Sequence, residues 1–294
     1  MYDIAIIGGG PAGMTAGLYA KRAGLNAIIF EGRFFGGQII NSHRVDNYPG
    51  LPGISGFDLS DRLFNQLKEH NIDIINKKVI SCDLKGDIKK IYTKKEEYLA
   101  RFVIIATGAR PRKLNLENEE KFVGLGVSYC ATCDGAFYKD KIVAVVGGGN
   151  TALDDAIYLA KFCKKVYLIH RRDAFRGSKL TVEKIKNATN IEIILNNEIT
   201  KLNGEDKLSY ITLKDGKTLP VDGLFIAIGN IPETELFREQ TELDENGYII
   251  TDKSLKTSLN NVYGAGDVTL KKLRQVVTAQ SDGAVAVASI LEEL

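Results

Sequence analysis

Short, wholly apolar runs closed by glycine clusters punctuate this chain. Residues 4–7 (Ile-Ala-Ile-Ile) lead into Gly8-Gly9-Gly10-Pro11-Ala12-Gly13. A run of that length with no polar member predicts a strand buried on both faces. Residues 14–22 then predict a helix, and residues 27–30 a second strand ending at Glu31. Sliding the sequence against itself by 139 positions lays residues 4–31 on residues 143–170. The second copy has a strand over 142–146, the loop Gly147-Gly148-Gly149-Asn150-Thr151-Ala152, a helix to about residue 162, and a strand over 166–169 ending at His170. One strand, turn, helix, strand unit therefore occurs twice.

In such a unit the first glycine makes the tight turn, the second lets backbone amides approach a pyrophosphate, and the third lets helix pack on strand. The helix N-terminus adds partial positive charge. Candidate phosphate-binding residues are Gly8, Gly10, Pro11, Ala12 and Gly13 in the first loop, and Gly147, Gly149, Asn150, Thr151 and Ala152 in the second. The end of the second strand meets the ribose of the adenosine half, and here the copies diverge. Glu31, eighteen residues beyond Gly13, can accept hydrogen bonds from both hydroxyls of an unmodified ribose and would repel a phosphate. His170 is followed by Arg171, Arg172 and Arg176, whose guanidinium groups suit a 2′-phosphate through paired charge-assisted hydrogen bonds. A solvated basic corner is the plainer alternative. The spacing predicts two bound dinucleotides, with FAD beside NADPH the economical pairing.

Two further apolar runs, 102–106 and 224–228, end near Gly108 and Gly229, and each is followed by a proline, Pro111 or Pro232. Both read as crossings between domains. The expected organisation is a first domain made of residues 1–112 and 232–294, with residues 113–231 inserted. A length of 294 residues agrees with about two domains. With 44% apolar and 26% charged residues, the composition excludes disordered, fibrous and membrane-spanning classes. Lys plus Arg number 39 against 37 Asp plus Glu, a net of +2 that supplies no general field for nucleic acid. No basic leader or long apolar span is present, so the expectation is a cytoplasmic protein without a membrane partner.

Cys130-Ala131-Thr132-Cys133 is the one close cysteine pair, followed by Asp134-Gly135. A Cys-x-x-Cys pair closes a disulfide or holds half of a zinc site. Zinc needs two more ligands, whereas Cys82 and Cys163 are isolated and the three histidines scattered, so redox chemistry is favoured and no metal is expected. When a disulfide is reduced one sulfur leaves as a thiolate, and Asp134 is the adjacent acid that can neutralise it. A turn-forming Asp-Gly is the competing reading.

The sequence resembles the low-molecular-weight, NADPH-dependent thioredoxin reductases of bacterial type over essentially its whole length. The resemblance rests on the glycine loops, Gly36-Gly37-Gln38, Asn47-Tyr48-Pro49-Gly50, Ala106-Thr107-Gly108, Cys130 to Gly135, His170-Arg171-Arg172 with Arg176, Gly266-Asp267 and Arg274-Gln275. It implies an α/β fold of two Rossmann-like dinucleotide-binding domains in three β/β/α layers, the second inserted into the first. It also implies a homodimer that passes electrons from NADPH through FAD and the Cys130-Cys133 disulfide to oxidised thioredoxin. Cys133 would lie against the flavin and Cys130 would attack the substrate disulfide. Gln38, Asn47, Arg274 and Gln275 would line the flavin, and Asp267 would accept a hydrogen bond from its ribityl chain. Gly37, Val79, Thr107, Gly108 and Gly229 join the cofactor-binding set. Because the inserted domain carries both the nicotinamide site and the dithiol, a rotation about the two crossings is expected to present them in turn.

The pattern departs at two places. Five residues before Cys130, where some relatives carry an arginine that contacts thioredoxin, stands Leu125, and Ala136-Phe137 occupies a place that often holds two aromatics. A different small dithiol protein therefore stays open as the partner, as does a flavin-containing module that senses redox state without turning over.

Overall fold

In the computed structural model, which describes residues 1–42 and 44–294, the first apolar run forms β1 (Tyr2–Ile7). It is followed by α1 (Pro11–Arg22), β2 (Ala27–Phe30), α2 (Gly56–Glu69), β3 (Asp73–Ile75), β4 (Ser81–Asp83), β5 (Lys89–Tyr92), β6 (Glu97–Ile105) and β7 (Ala109–Pro111). Next come the single turn α3 (Glu119–Phe122), β8 (Val127–Ser128), the single turn α4 (Ala131–Asp134), β9 (Ile142–Val146), α5 (Asn150–Ala160) and β10 (Lys165–Ile169). Then follow α6 (Lys179–Lys186), β11 (Ile191–Ile194), β12 (Ile199–Asn203), β13 (Tyr210–Leu213), β14 (Thr218–Pro220), β15 (Gly223–Ile226) and β16 (Asn230–Pro232). β17 (Val262–Gly264) and α7 (Val276–Leu291) close the chain. The chain divides into two compact units, Met1–Arg110 with Ile231–Leu294, and Pro111–Asn230.

In the first unit β1 sits between β2 and β6, parallel to both, with Ile4 opposite Ala27 and Phe102. The sheet order is β3-β2-β1-β6-β5-β4, and β17 also pairs with β6. The nine residues of β6 share one edge: Glu97 to Ala100 pair antiparallel with β5, and Val103 to Ile105 pair parallel with β17. Alternation along β1 feeds two cores. Ile4 and Ile6 pack with Met14 and Ala16 of α1 and with Val287 and Ile290 of α7, whereas Ala5 and Ile7 pack with Val79, Leu84, Ile91, Phe237 and Ile249. Burying such an Ile side chain contributes about 2 kcal/mol of transfer free energy. Gly283 of α7 meets the Ala12 carbonyl, leaving no room for a Cβ, so the two helices approach closely.

The second unit repeats the plan. Its parallel sheet has the order β11-β10-β9-β15-β8. Val143 and Val145 of β9 face Leu153, Ala156 and Leu159 of α5 and Ile185 of α6. Ala144 and Val146 face Leu202, Ile211, Leu213 and Leu219 of the antiparallel sheet β12-β13-β14. Meander, parallel sheet and helices are thus the three layers of the expected α/β fold.

Both glycine-loop helices begin earlier than the apolar pattern predicts. Pro11 occupies the first helical position of α1, where its missing N–H would have lacked a helical partner anyway and its fixed φ is already helical. The crossing strands β7 and β16 pair with each other. Among the described residues no helix is long and apolar enough to cross a membrane.

Candidate functional site

The turn from β1 into α1 is built by glycines with separate tasks. Gly8 has φ of +118°, and a Cβ there would strike the Ala106 carbonyl; a Cβ on Gly13 would strike the Gly8 carbonyl. Gly10, the N-cap of α1, has nothing within 4 Å of where its Cβ would lie. The turn therefore leaves open space at its middle glycine, directly before a helix N-terminus, which is the cradle a pyrophosphate needs. Glu31 follows β2 and closes the turn from the far side. Its Oε2 accepts the Gly9 N–H at 2.8 Å and its Oε1 the Arg33 N–H at 2.8 Å. Each carboxylate oxygen keeps a second lone pair for a ribose hydroxyl.

The remaining candidates of the first unit lie on several elements. Gly37 and Gln38 start a short 3₁₀ turn, Gly37–Asn41. The Asn47 side-chain amide donates to Gln275 Oε1 at 2.8 Å, and Gln275 is the N-cap of α7. Thr107, just past β6, donates its hydroxyl to the Glu233 carbonyl at 2.7 Å, and Gly108 has φ of +73° with open space where a side chain would be. Val79 is buried in the core, so only its backbone is offered to a ligand. Asp267 lies in the turn Gly266–Val268, and its Oδ1 is buried without a hydrogen-bond partner. Burial pushes this carboxyl above its ordinary value, and the Lys271 and Arg274 charges pull it part of the way back. An orphaned buried acceptor is costly unless a ligand hydroxyl completes it. Arg274 stacks its guanidinium 4.0 Å from the Tyr248 ring and donates to the Thr269 carbonyl at 3.2 Å.

In the second unit Gly147 has φ of +155° and abuts the Ala227 carbonyl, whereas Gly149, the N-cap of α5, again faces open space. Thr151 and Ala152 fall in the first turn of α5, and Asn150 Oδ1 accepts the Ser178 N–H at 2.9 Å. Gly229 has φ of +100°. The Arg176 N–H donates to the Gly148 carbonyl at 2.7 Å, tying the arginine loop to the glycine turn. Arg171, Arg172 and Arg176 are exposed. His170 behaves differently from its neighbours: it is 5% exposed, presses on Gly148, stacks on Phe175 at 5.5 Å, and leaves Nε2 buried without a partner. Burial holds it below the usual histidine range, opposed by a hydrogen bond to the Ala174 backbone and reinforced by the Arg176, Arg172 and Arg171 charges.

The same unit carries the dithiol. Cys130 and Cys133 form a disulfide with Cα atoms 5.3 Å apart. Cys130 is the N-cap of the single-turn α4, and the Cys133 N–H donates to Cys130 Sγ at 3.2 Å, an interaction that a thiolate there would strengthen. Asp134 ends the turn, and its Oδ2 accepts the Ser128 hydroxyl at 2.6 Å. Sequence reasoning missed Ser128, since no spacing rule marks a serine two residues before a cysteine. Gly135 lies so close to Leu159, Tyr158 and Phe162 that a Cβ would crowd them, which seats the turn on α5. Leu125 and Phe137 are both exposed. Cys82 and Cys163 lie apart from the disulfide, and burial pushes each thiol up to about 11, as expected of unreactive core thiols.

Two glycine cradles and a disulfide on one chain define a class, and the pyridine nucleotide-disulphide oxidoreductase family matches residues 2–283. A thioredoxin reductase of Peptoclostridium acidaminophilum is 43% identical over 97% of this chain and 95% of its own length. One of Mycoplasma genitalium is 40% identical over 100% of this chain and 96% of its own. The crystal structure of thioredoxin reductase from Streptococcus pyogenes superposes with a TM-score of 0.94 at 40% identity, covering 100% of this chain and 99% of that one. Within that class, the chain belongs to the thioredoxin reductase family.

Proposed function

We propose that this chain is an NADPH-dependent thioredoxin-disulfide reductase that works through Cys130 and Cys133. The observation that carries the reading is the disulfide itself, held on a one-turn helix beside a carboxylate, in the unit that also bears the arginine-flanked glycine cradle.

Residues of the first unit fit FAD: the open cradle at Gly10, the Glu31 carboxylate for the ribose, and the orphaned Asp267 Oδ1 for a ribityl hydroxyl. Gln38, Asn47, Thr107, Arg274 and Gln275 would complete that pocket. Residues of the second unit fit NADPH: Gly149 and the start of α5 for the pyrophosphate, and Arg171, Arg172 and Arg176 for the 2′-phosphate, with His170 Nε2 awaiting a polar partner. When bound, the flavin supplies two-electron transfer between the nicotinamide and the dithiol. The protein's part is to bind and orient both nucleotides and to manage protons at sulfur. Asp134 gives a proton to the thiolate formed when the disulfide opens, and takes one from Cys130 when that sulfur attacks the disulfide of oxidised thioredoxin. The working form is a cytoplasmic homodimer.

The test is NADPH oxidation by the purified yellow protein with and without thioredoxin, repeated with Cys133→Ser. The variant is expected to keep NADPH-dependent bleaching of its flavin and to lose thioredoxin reduction. Thioredoxin reduction at the wild-type rate by that variant would end the reading. A wild-type protein that reacts once with NADPH and does not turn over with thioredoxin would instead be a sensor.

A further inference from the structure

Ser128 is the last residue of β8, opposite Phe225 of β15 in the parallel sheet, and it is buried. Its Oγ meets three groups: Asp134 Oδ2 at 2.6 Å, the Cys130 N–H at 3.1 Å and the Cys130 carbonyl at 3.4 Å. A hydroxyl has one proton to give. The serine proton goes to Asp134 Oδ2, which accepts it equally as a carboxylate oxygen or as the carbonyl oxygen of the protonated acid, and the Cys130 amide supplies its own proton to the serine lone pair. The longer contact to the carbonyl is the weaker alternative. One atom of a rigid sheet edge thus fixes both the backbone of the first cysteine and the carboxylate four residues beyond it.

We propose that Ser128 is a positioning residue for proton transfer at the dithiol, holding the Asp134 carboxylate in the orientation from which it serves Cys130. The inference rests on the acid–base reading of Asp134. In the step concerned, the Cys130 thiol gives its proton to Asp134 as Sγ bonds to one substrate sulfur. The substrate S–S bond breaks and one substrate thiolate leaves. Cys133 then attacks Cys130 Sγ, the mixed disulfide breaks, and the second substrate thiolate leaves. Two electrons pass from the enzyme dithiol to the substrate disulfide, and the two protons lost by the enzyme thiols end on the two substrate sulfurs. Without the Ser128 hydroxyl the Asp134 carboxylate meets the thiol in the required pose less often, which slows the first exchange without altering nucleotide sites.

The FAD-loaded protein, reduced with dithiothreitol and desalted, is mixed with oxidised thioredoxin, and disulfide exchange is followed by rapid quench. Ser128→Ala is expected to slow exchange about 10- to 100-fold, while Ser128→Thr, which keeps the hydroxyl, stays within about threefold of wild type. In an Asp134→Asn background the same Ser128→Ala change should cost less than about twofold, because the serine acts through the aspartate. Equal slowing in both backgrounds, or a Ser128→Ala protein that exchanges at the wild-type rate, overturns the inference. Should Ser128→Ala fail to fold, Ser128→Thr against the isosteric Ser128→Val isolates the hydroxyl, and equal rates for that pair overturn it too. Wild-type exchange by Asp134→Asn alone would remove the aspartate reading, a result distinct from failure at Ser128.

Discussion

At the scale of single residues, glycines that look alike in the sequence have opposite reasons for being glycine. Gly13 has no room for a methyl group because the Gly8 carbonyl lies against it, whereas Gly10 faces empty space with an extended backbone that alanine also adopts. Gly13→Ala is therefore expected to destabilise the apo protein by about 1–3 kcal/mol, read as a lower denaturation midpoint. Gly10→Ala should leave apo stability within about 1 kcal/mol and instead weaken FAD retention, since its methyl group enters the cradle. Flavin content after gel filtration separates the two. The motif was legible from spacing, but which glycine serves packing and which serves a ligand was not, because that depends on a carbonyl brought back by the β6 connection and on the turn's own geometry. Ser128 was illegible for the same reason: its partner Asp134 is near only because a sheet edge and a one-turn helix meet.

At the scale of elements, α5 shows how one helix serves several neighbours. Ala152, Leu153, Ala156 and Leu159 face the core, and Asp155 is carried partly into it. Burial, with a smaller push from Asp154, raises the Asp155 carboxyl from its ordinary 3.8 to about 7. The folded chain therefore binds a proton that the unfolded chain releases, and stability falls as pH rises from about 4 to about 7 and is level above. Asp155→Asn is expected to match the parent near pH 4 and to exceed it by about 1–3 kcal/mol at pH 8, seen as a melting difference that grows across that interval. The loop after β10 is the second element with a separable task. Replacing any one of Arg171, Arg172 and Arg176 with Ala should raise KM for NADPH by up to about 10- to 100-fold while leaving NADH nearly unaffected, since a lost charge-assisted contact is worth about 1.5–3 kcal/mol. Equal loss with both nucleotides would assign those arginines another role. The basic cluster is legible in the sequence, whereas the burial of the His170 ring against Gly148 and Phe175 is not.

At the scale of the whole molecule, the dithiol and the arginine-flanked cradle belong to one unit and the Glu31 cradle to the other. If both must serve one flavin in turn, the crossings β7 and β16 are the joints. A crosslink that locks the segments around Pro111 and Pro232 should slow steady-state thioredoxin reduction while leaving FAD content unchanged, and full-speed turnover in the locked protein would refute the rotation. The duplication, the strand-turn-helix order and the Cys-x-x-Cys pair are properties of the chain alone, because glycine conformations, strand periodicity and cysteine spacing act over a few residues and leave a local trace. Contacts between residues far apart in sequence leave none. The orphaned Asp267 Oδ1, the Asn47–Gln275 hydrogen bond, the division of labour along β6 and the burial of His170 depend on which distant segments each unit brings together as it folds, and only the tertiary structure decides that.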